Sequence, residues 1–378
     1  MKNKGKRFLT YFMALSLMCW GVCGNSVFAG YVAPDSYSTI VDGNGTGEKR
    51  MFVSGQKIDS YHFQNIRHNP EDYVNGGALD YAASYSGFNI DNSLFENNYA
   101  SLGGAIRTWG SSPTVIRNTK FFSNTADNGG GAIYATKSIQ LDNSLFESNK
   151  SGLRGGAIFF APDASDSLGR LTLNNVDFIN NIAGQDGGAI YFNAPNAVLD
   201  SSINVNDGQT HYMSGNMQNT QEDEYGTRKA SANAIYINSG GVKLSTTGSV
   251  DSKLVIDDGI EGANIANANL KITANGGEIA LNNEIKNLIL THQSGTLLLN
   301  ANNKLADGAS ILNNVDLIFK PANGNDIRFD LANGKLDNLL IRNLSITEPT
   351  GDQKLLIALD VDLNQGKSDF FNVSGTTT

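Results

Sequence analysis

Three charged residues fall at equivalent places in successive copies of a sequence repeat, and they are the best candidates for chemistry. Asp91, Arg117 and Asp142 each lie four residues before a phenylalanine. If the copies stack as neighbouring strands, the two carboxylates lie about 9–10 Å apart, near the upper end of the separation in inverting glycosidases. Arg117 lies between them, so a row of exposed ion pairs, each worth under about 1 kcal/mol, is the simpler expectation. A polysaccharide lyase or glycoside hydrolase remains the alternative.

Other catalytic and ligand-binding signatures are missing from the sequence. The four histidines (62, 68, 211 and 292) are scattered and show no metal-ligand spacing. We find no Ser-His-Asp arrangement, phosphate-binding loop or dinucleotide fingerprint. We therefore expect no catalytic residue, no metal and no cofactor. The net charge of −9 argues against a nucleic-acid partner.

The three charged residues are positioned by a repeat that runs through Asn, Phe, Asn and then Gly-Gly-Ala-Ile. Its glycine pairs begin at 76, 103, 130, 155 and 187. Self-similarity at such a period indicates a solenoid, in which each repeat packs only against its neighbours. A period of about 25 residues holds three short strands and three bends, and no segment shows a sustained helical period. The sequence therefore predicts an all-β, right-handed parallel β-helix forming a single elongated domain.

Residue alternation within the repeat predicts which side chains face the interior. Side chains alternate between the two faces of a strand, and equivalent residues of successive coils stack about 4.8 Å apart. The phenylalanines should therefore form one interior stack, and the asparagines three residues before them a ladder at the bends. The predicted structural ladder consists of Asn92, Asn118, Asn143, Asn175, Phe95, Phe121, Phe146 and Phe178.

Four segments follow from the composition along the chain. Residues 1–29 carry Lys2, Lys4, Lys6 and Arg7, then an apolar run and a small-residue cleavage site, which predicts an export signal peptide. Residues 30–75 are expected to form a cap and a first coil, 76–240 the regular repeats, and 241–378 a less regular continuation. Both cysteines, Cys19 and Cys23, lie within the signal, so the mature chain has none.

The paired motifs Phe-x-x-Asn and Gly-Gly-Ala-Ile resemble the repeat of the chlamydial polymorphic outer-membrane proteins, a group within the autotransporters. The segment 359–375 is similar to one that many autotransporter passengers carry late in the β-helix. The resemblance implies a secreted, surface-displayed β-helix, often adhesive, held by a C-terminal translocator β-barrel. No barrel-like series of strands is evident before Thr378, so we expect the translocator to be absent from this chain.

Contact residues are expected outside the regular coil, because loops on a rigid scaffold commonly carry binding. Residues 161–169 and 206–231 exceed the repeat length and are interpreted as insertions. Tyr212 and Tyr225 in the second, together with Trp109, are the candidate partner contacts, although Trp109 could equally be a core residue. The sequence thus favours a non-enzymatic, adhesive passenger at the cell surface, outer membrane or outside the cell. Its expected partner is a surface protein or glycan of a host or neighbouring cell.

Overall fold

The computed structural model describes residues 31–378 apart from a number of short segments. The exceptions are 32–33, 35, 45–50, 53–56, 69–74, 82–87, 110–112, 163–168, 196–200, 220–228, 306–308, 323–324, 349–352 and 363–366. The predicted signal peptide, Tyr225 and most of the predicted insertion at 161–169 lie outside the described residues. The described part contains no helix long and apolar enough to cross a lipid bilayer.

The described residues form 35 strands and no helix. The first seventeen are β1 (Thr39–Asp42), β2 (Met51–Phe52), β3 (Lys57–Asp59), β4 (Tyr61–Gln64), β5 (Leu79–Tyr81), β6 (Phe88–Asp91), β7 (Leu94–Glu96), β8 (Tyr99–Leu102), β9 (Ile106–Thr108), β10 (Thr114–Arg117), β11 (Lys120–Phe122), β12 (Thr125–Gly129), β13 (Ile133–Ala135), β14 (Ile139–Glu147), β15 (Lys150–Ser151), β16 (Ile158–Phe160) and β17 (Leu171–Ile179).

The remaining eighteen are β18 (Ile182–Ala183), β19 (Ile190–Asn193), β20 (Ser201–Val205), β21 (Thr210–Ser214), β22 (Met217–Gln218), β23 (Ser231–Thr246), β24 (Ser252–Ile256), β25 (Gly259–Gly262), β26 (Ala268–Leu281), β27 (Ile285–Lys286), β28 (Ile289–Leu299), β29 (Ser310–Phe319), β30 (Ile327–Asp330), β31 (Asn338–Ile346), β32 (Leu355–Ala358), β33 (Val361–Asp362), β34 (Lys367–Ser368) and β35 (Phe370–Val373).

Successive coils pair in parallel along a lead face, a Phe face and an Ile face of a rod, and the early coils add a fourth, short row of parallel strands, β8, β12, β15, β18 and β22. The lead face contains β6, β10, the first half of β14 and their equivalents. The Phe face contains β7, β11, the second half of β14 and β21, and the Ile face contains β9, β13, β16 and β19. Apart from the hairpin of β33 with β34 and the pairing of β22 with β23, the described strand pairs are parallel. The predicted all-β parallel β-helix is therefore confirmed.

The phenylalanines of the repeat form one stack inside the Phe face. Phe95, Phe121, Phe146 and Phe178 are fully buried, and the stack begins one coil earlier at Phe63. Neighbouring ring centroids lie 4.6–5.1 Å apart with nearly parallel planes. The spacing matches the distance between paired strands, so each ring lies above the equivalent ring of the preceding coil.

The asparagines before each phenylalanine form the bend between the lead face and the Phe face. Asn92, Asn118, Asn143 and Asn175 have φ angles of 47–54°, in the left-handed region that asparagine tolerates. Their amides bond along the axis from Asn118 to Asn92 and from Asn175 to Asn143. Asn92, Asn118 and Asn143 are only partly buried, whereas Asn175 is buried.

A second set of asparagines, three residues after each stacked phenylalanine or after Met213, makes the continuous ladder. It contains Asn98, Asn124, Asn149, Asn181 and Asn216, all at most 1% exposed. Each Nδ2 before the last donates to the Oδ1 of the next asparagine at 2.9–3.0 Å. Each Nδ2 also donates to the carbonyl of a stacked phenylalanine one coil back. The amides are thereby satisfied in a buried setting where unpaired groups are costly.

The asparagine ladder ends on the carboxylate of Asp258. Asn216 donates to Asp258 Oδ2 from both its backbone nitrogen and its Nδ2, at 2.8 and 2.7 Å, and Gly215 N donates to Oδ1 at 3.1 Å. Burial raises the pKa of Asp258 to about 6, although these hydrogen bonds act in the opposite direction. The carboxyl group is therefore poised to titrate close to neutral pH.

The interpretation of residues 206–231 as an insertion is wrong for its first half, residues 206–218. Residues 201–218 form a regular coil through β20, β21 and β22. Met213 pairs with Phe178 and takes the place of a phenylalanine, while Asn216 continues the buried ladder. Sequence reasoning overlooked this copy because Met213 replaced the phenylalanine that marked the others. Residues 220–228 of the predicted insertion lie outside the described residues.

The later coils keep the same three faces with longer strands. β23, β26 and β28 each run through a corner and contribute to two faces. The interior there is mainly leucine and isoleucine, as in the aligned Leu254, Ile279 and Leu297. β23 crosses residue 240, and the domain boundaries proposed from the sequence remain predictions.

Candidate contact surfaces

The charged row on the lead face is a set of mutually satisfied ion pairs. Arg117 lies 3.3 Å from Asp142 and 3.9 Å from Asp91, and Lys57 lies 3.4 Å from Asp91. Asp142 also accepts hydrogen bonds from Gln140 and Asn174. Both carboxylates have cationic or amide partners, and a guanidinium lies where a glycosidase would need space for water and sugar. The arrangement fits the expected ion-pair row.

Trp109 lies at the surface and does not fill the core. Its side chain is 45% exposed, and its indole nitrogen donates to Asp80 Oδ1 at 2.9 Å. The Arg107 guanidinium lies 5.3 Å from the ring centroid, within cation–π range. These contacts fix the ring while part of it stays open to solvent. An oriented, exposed tryptophan is well suited to anchor a partner.

Four aromatic rings form a row on the outside of the Ile face, directly after each Ala-Ile. Tyr134, Phe159, Tyr191 and Tyr236 stack with centroid distances of 4.6, 5.0 and 5.8 Å. Arg154 lies over Tyr191 and is paired with Asp186. The sequence contains a signal for this row, since an aromatic residue directly follows the isoleucine in each of these four copies. The sequence analysis above does not predict it. The rings cover one another's faces and present mainly their edges outward.

Tyr212 lies on the outside of the Phe face, on a different face and several coils away from Trp109. Its side chain is 38% exposed and borders an open hollow of about 390 Å³. Lys304 and Asn302 contact Asp257 in the wall of this hollow, and Lys253 pairs with Glu278. The structure therefore does not bring Tyr212 and Trp109 into one site. Tyr225, the third predicted contact, is outside the described residues.

His211 forms a buried triad with two carboxylates, which the sequence analysis missed. His211 Nδ1 lies 3.2 Å from Asp177 and Nε2 lies 3.1 Å from Asp207. The side chains of His211 and Asp177 are fully buried, so no dissolved substrate can reach them. Within the described ranges, no group of His, Cys, Asp or Glu is placed to hold a metal ion. The triad is a structural charge cluster that has no evident catalytic use.

Protonation of the triad is favoured by the fold. Burial alone would lower the pKa of His211, but the hydrogen bonds and charges of Asp177 and Asp207 outweigh it and raise that pKa. Burial also raises the pKa of Asp177, despite its contact with His211. The two shifts have the same consequence, because both make the folded chain bind protons more strongly than the unfolded chain.

We expect Asp258 and the His211 triad to stabilise the folded chain near pH 5 relative to pH 8. Buried His292, whose pKa burial lowers to about 4, acts in the opposite direction, so the test is the separate contribution of Asp258. The raised pKa of His211 gives stability that is lost as the pH rises through its folded value. Asp258, with a pKa of about 6, also holds a proton in the folded state that the unfolded state has released. Asp258 alone contributes on the order of 1–2 kcal/mol between these pH values. Urea unfolding at several pH values measures how the free energy of unfolding changes with pH.

Asp258→Asn provides the control for this pH dependence. Asparagine cannot titrate, so the stability of the variant at pH 5 relative to pH 8 should be lower than that of the wild type by the contribution of Asp258. The carboxylates Asp59 and Asp316 have lowered pKa values, set chiefly by Lys57 and Arg342, and affect stability only at more acid pH. An equal change in stability between pH 5 and pH 8 for the wild type and for Asp258→Asn would contradict the assignment of Asp258.

Comparison with known proteins identifies the repeat. Residues 118–136 and 175–193 match the family model of the Chlamydia polymorphic membrane protein (Chlamydia_PMP) repeat. This chain carries Chlamydia polymorphic membrane protein-like repeats. It is also 38% identical over 76 residues to a Dictyostelium discoideum protein described as metabotropic glutamate receptor-like protein R, covering 19% of this chain and 5% of that protein. No solved structure matches the chain.

The segments that match the polymorphic membrane protein repeat contain the buried and bend residues that build the coil. They contain the stacked Phe121 and Phe178, the buried Asn124 and Asn181, and the glycine pairs that begin at 130 and 187. Gly131 shows why the second glycine is required, since a Cβ there would lie 2.0 Å from the Gly156 carbonyl oxygen. The matched segments therefore contain the residues that build the coil.

Proposed function

We propose that this chain is the passenger part of an autotransporter-type surface protein with an adhesive role and no catalysis. The observation that carries the proposal is the match of the repeat to the Chlamydia polymorphic membrane protein model, within a rod of stacked coils. A rod of this kind offers a long, rigid outer surface on which contact residues are held apart from the core. The polymorphic membrane protein family supports a location at the outer membrane or cell surface.

The charge distribution also favours contact over catalysis. Asp91 and Asp142 form ion pairs with Lys57 and Arg117, and Asp142 also accepts a hydrogen bond from the Gln140 amide. Catalytic carboxylates of glycosidases need an acid with a raised pKa and an open space between the two groups. The proposed partner is a protein or glycan of a host or neighbouring cell, and the proposed route is export by the signal peptide followed by a translocator β-barrel.

Trp109→Ala should reduce adhesion when residues 30–378 are displayed on cells by fusion to a translocator. Removing an exposed aromatic anchor typically costs about 2 kcal/mol or more of binding, which is over tenfold in affinity. Adhesion to host cells is counted by microscopy. Val250→Ala, at a position 82% exposed, is the matched control and should leave adhesion unchanged. Equal adhesion of the two variants would show that Trp109 does not contact the partner.

A further inference from the structure

The later part of the lead face carries three lysines that lack acidic partners. Lys243, Lys271 and Lys320 form no ion pair with any carboxylate in the described part of the chain, whereas Lys253 and Lys286 do. The early part of the same face is the balanced row around Arg117. An unbalanced cationic group is unusual in a chain whose net charge is −9, because carboxylates are plentiful.

The coil register brings the three lysines together. Lys243 pairs with Lys271 on the next strand, and Lys271 pairs with Thr291 on the one after. Lys320 directly follows the strand beside Thr291, and its backbone nitrogen donates to the His292 carbonyl at 3.0 Å. Paired strands lie about 4.8 Å apart, so the side chains project from a small area.

Two of these lysines border an open hollow of about 360 Å³. Its walls also contain Thr291, Gln293 and Thr347, whose hydroxyl and amide groups can donate hydrogen bonds, and Ile318 supplies an apolar part. The combination of cations, neutral donors and one apolar side chain matches a ligand that has a negative charge, hydroxyl groups and a C–H face. Sugars with acidic substituents have these features.

Electrostatic repulsion within the cluster favours an anion in the hollow. Burial lowers the pKa of Lys271, and the positive charges of Lys243 and Lys320 lower it further. A bound anion would offset the repulsion from Lys243 and Lys320 and so raise the pKa of Lys271 again. Asp316, on the strand paired with the one that carries Thr291, is held by Arg342 and Asn343 and forms no ion pair with these lysines.

We propose that this hollow binds the anionic group of an acidic glycan, either a sulfate ester or a uronate carboxylate. Lys271 and Lys320 would contact the charge, and Thr291, Gln293 and Thr347 the adjoining hydroxyls. The small size of the cluster suits one charged sugar unit, and the acidic remainder of the chain disfavours a long, uniformly charged polymer. The inference goes beyond the proposed function, because such binding does not depend on display at the cell surface.

The test measures binding of purified chain to length-matched probes, which are dextran sulfate, oligogalacturonate, uncharged dextran and single-stranded DNA. Binding to either charged glycan above uncharged dextran and DNA is expected, and the better one identifies the acidic group. Lys271→Gln with Lys320→Gln should weaken that binding by about tenfold or more, since two charge-assisted contacts are lost. Lys271→Arg with Lys320→Arg should retain it.

The matched control is Lys253→Gln with Lys286→Gln, which removes the same charge from lysines that have acidic partners. It should change binding by less than about threefold. An equal loss in the two glutamine variants, equal binding of DNA, or no preference for either charged glycan over dextran would overturn the proposal. If the hollow binds no glycan while displayed cells still adhere, only this site is disproved.

Discussion

Asn149→Leu is expected to lower the free energy of unfolding by about 3–5 kcal/mol. Asn149 donates from Nδ2 to Phe121 O and Asn181 Oδ1, and its Oδ1 accepts from both nitrogens of Asn124, all at 2.9–3.0 Å. Leucine has a similar size but leaves these buried groups without their partners. The Asn124 backbone nitrogen in particular loses the acceptor that satisfies it.

Two other asparagine substitutions calibrate the Asn149→Leu result in urea unfolding. Asn89 points outward and is exposed, so Asn89→Leu should change stability by less than about 0.5 kcal/mol. Asn143→Leu should fall between, because leucine is strained at the φ of 47° there by about 1–2 kcal/mol and one amide contact is lost. Equal unfolding midpoints for Asn149→Leu and Asn89→Leu would show that the buried ladder contributes nothing to stability.

Deletion of residues 206–231 is expected to abolish cooperative unfolding. The deletion removes β21 and β22, and with them Met213 from the interior and Asn216 from the ladder. The coils on either side would lose their paired strands, and stability in a solenoid depends on such contacts between neighbours. Circular dichroism during urea unfolding would show a broad transition or none.

Deletion of residues 220–228 alone is the matched control. Gln218 pairs with Ser231 in an antiparallel ladder, so the three residues left between them can close a hairpin. This variant should unfold cooperatively with nearly unchanged stability. It also removes Tyr225, so its adhesion tests that predicted contact in an intact coil. Cooperative unfolding of the larger deletion would contradict the coil assigned to residues 201–218.

The sequence predicted the fold because the fold is periodic. Phe95 and Phe121 occupy equivalent places in the repeat, and parallel coils bring equivalent places together regardless of the length of the loops between them. The same logic holds for Arg117 between Asp91 and Asp142. The coil at 201–218 was missed because Met213 occupies a position that the preceding copies fill with phenylalanine.

Non-equivalent residues could not be brought together from the sequence. His211 meets Asp177 from the preceding coil and Asp207 from a bend, and their contact depends on where β20 ends. The lysine hollow combines Lys271 within a strand with Lys320 just after one. Such clusters depend on coil lengths and corner geometry, which vary among the later coils and leave no fixed spacing.

Protease treatment of intact cells displaying the chain tests the central claim most directly. Residues 30–378, exported with the native signal and fused to a translocator β-barrel, should be removed by added protease while cytoplasmic proteins stay intact. The account predicts that adhesion to host cells is present before this treatment and lost after it. Adhesion that survives removal of the chain, or no adhesion by displayed wild-type chain, would contradict the claim that this rod is a contact surface.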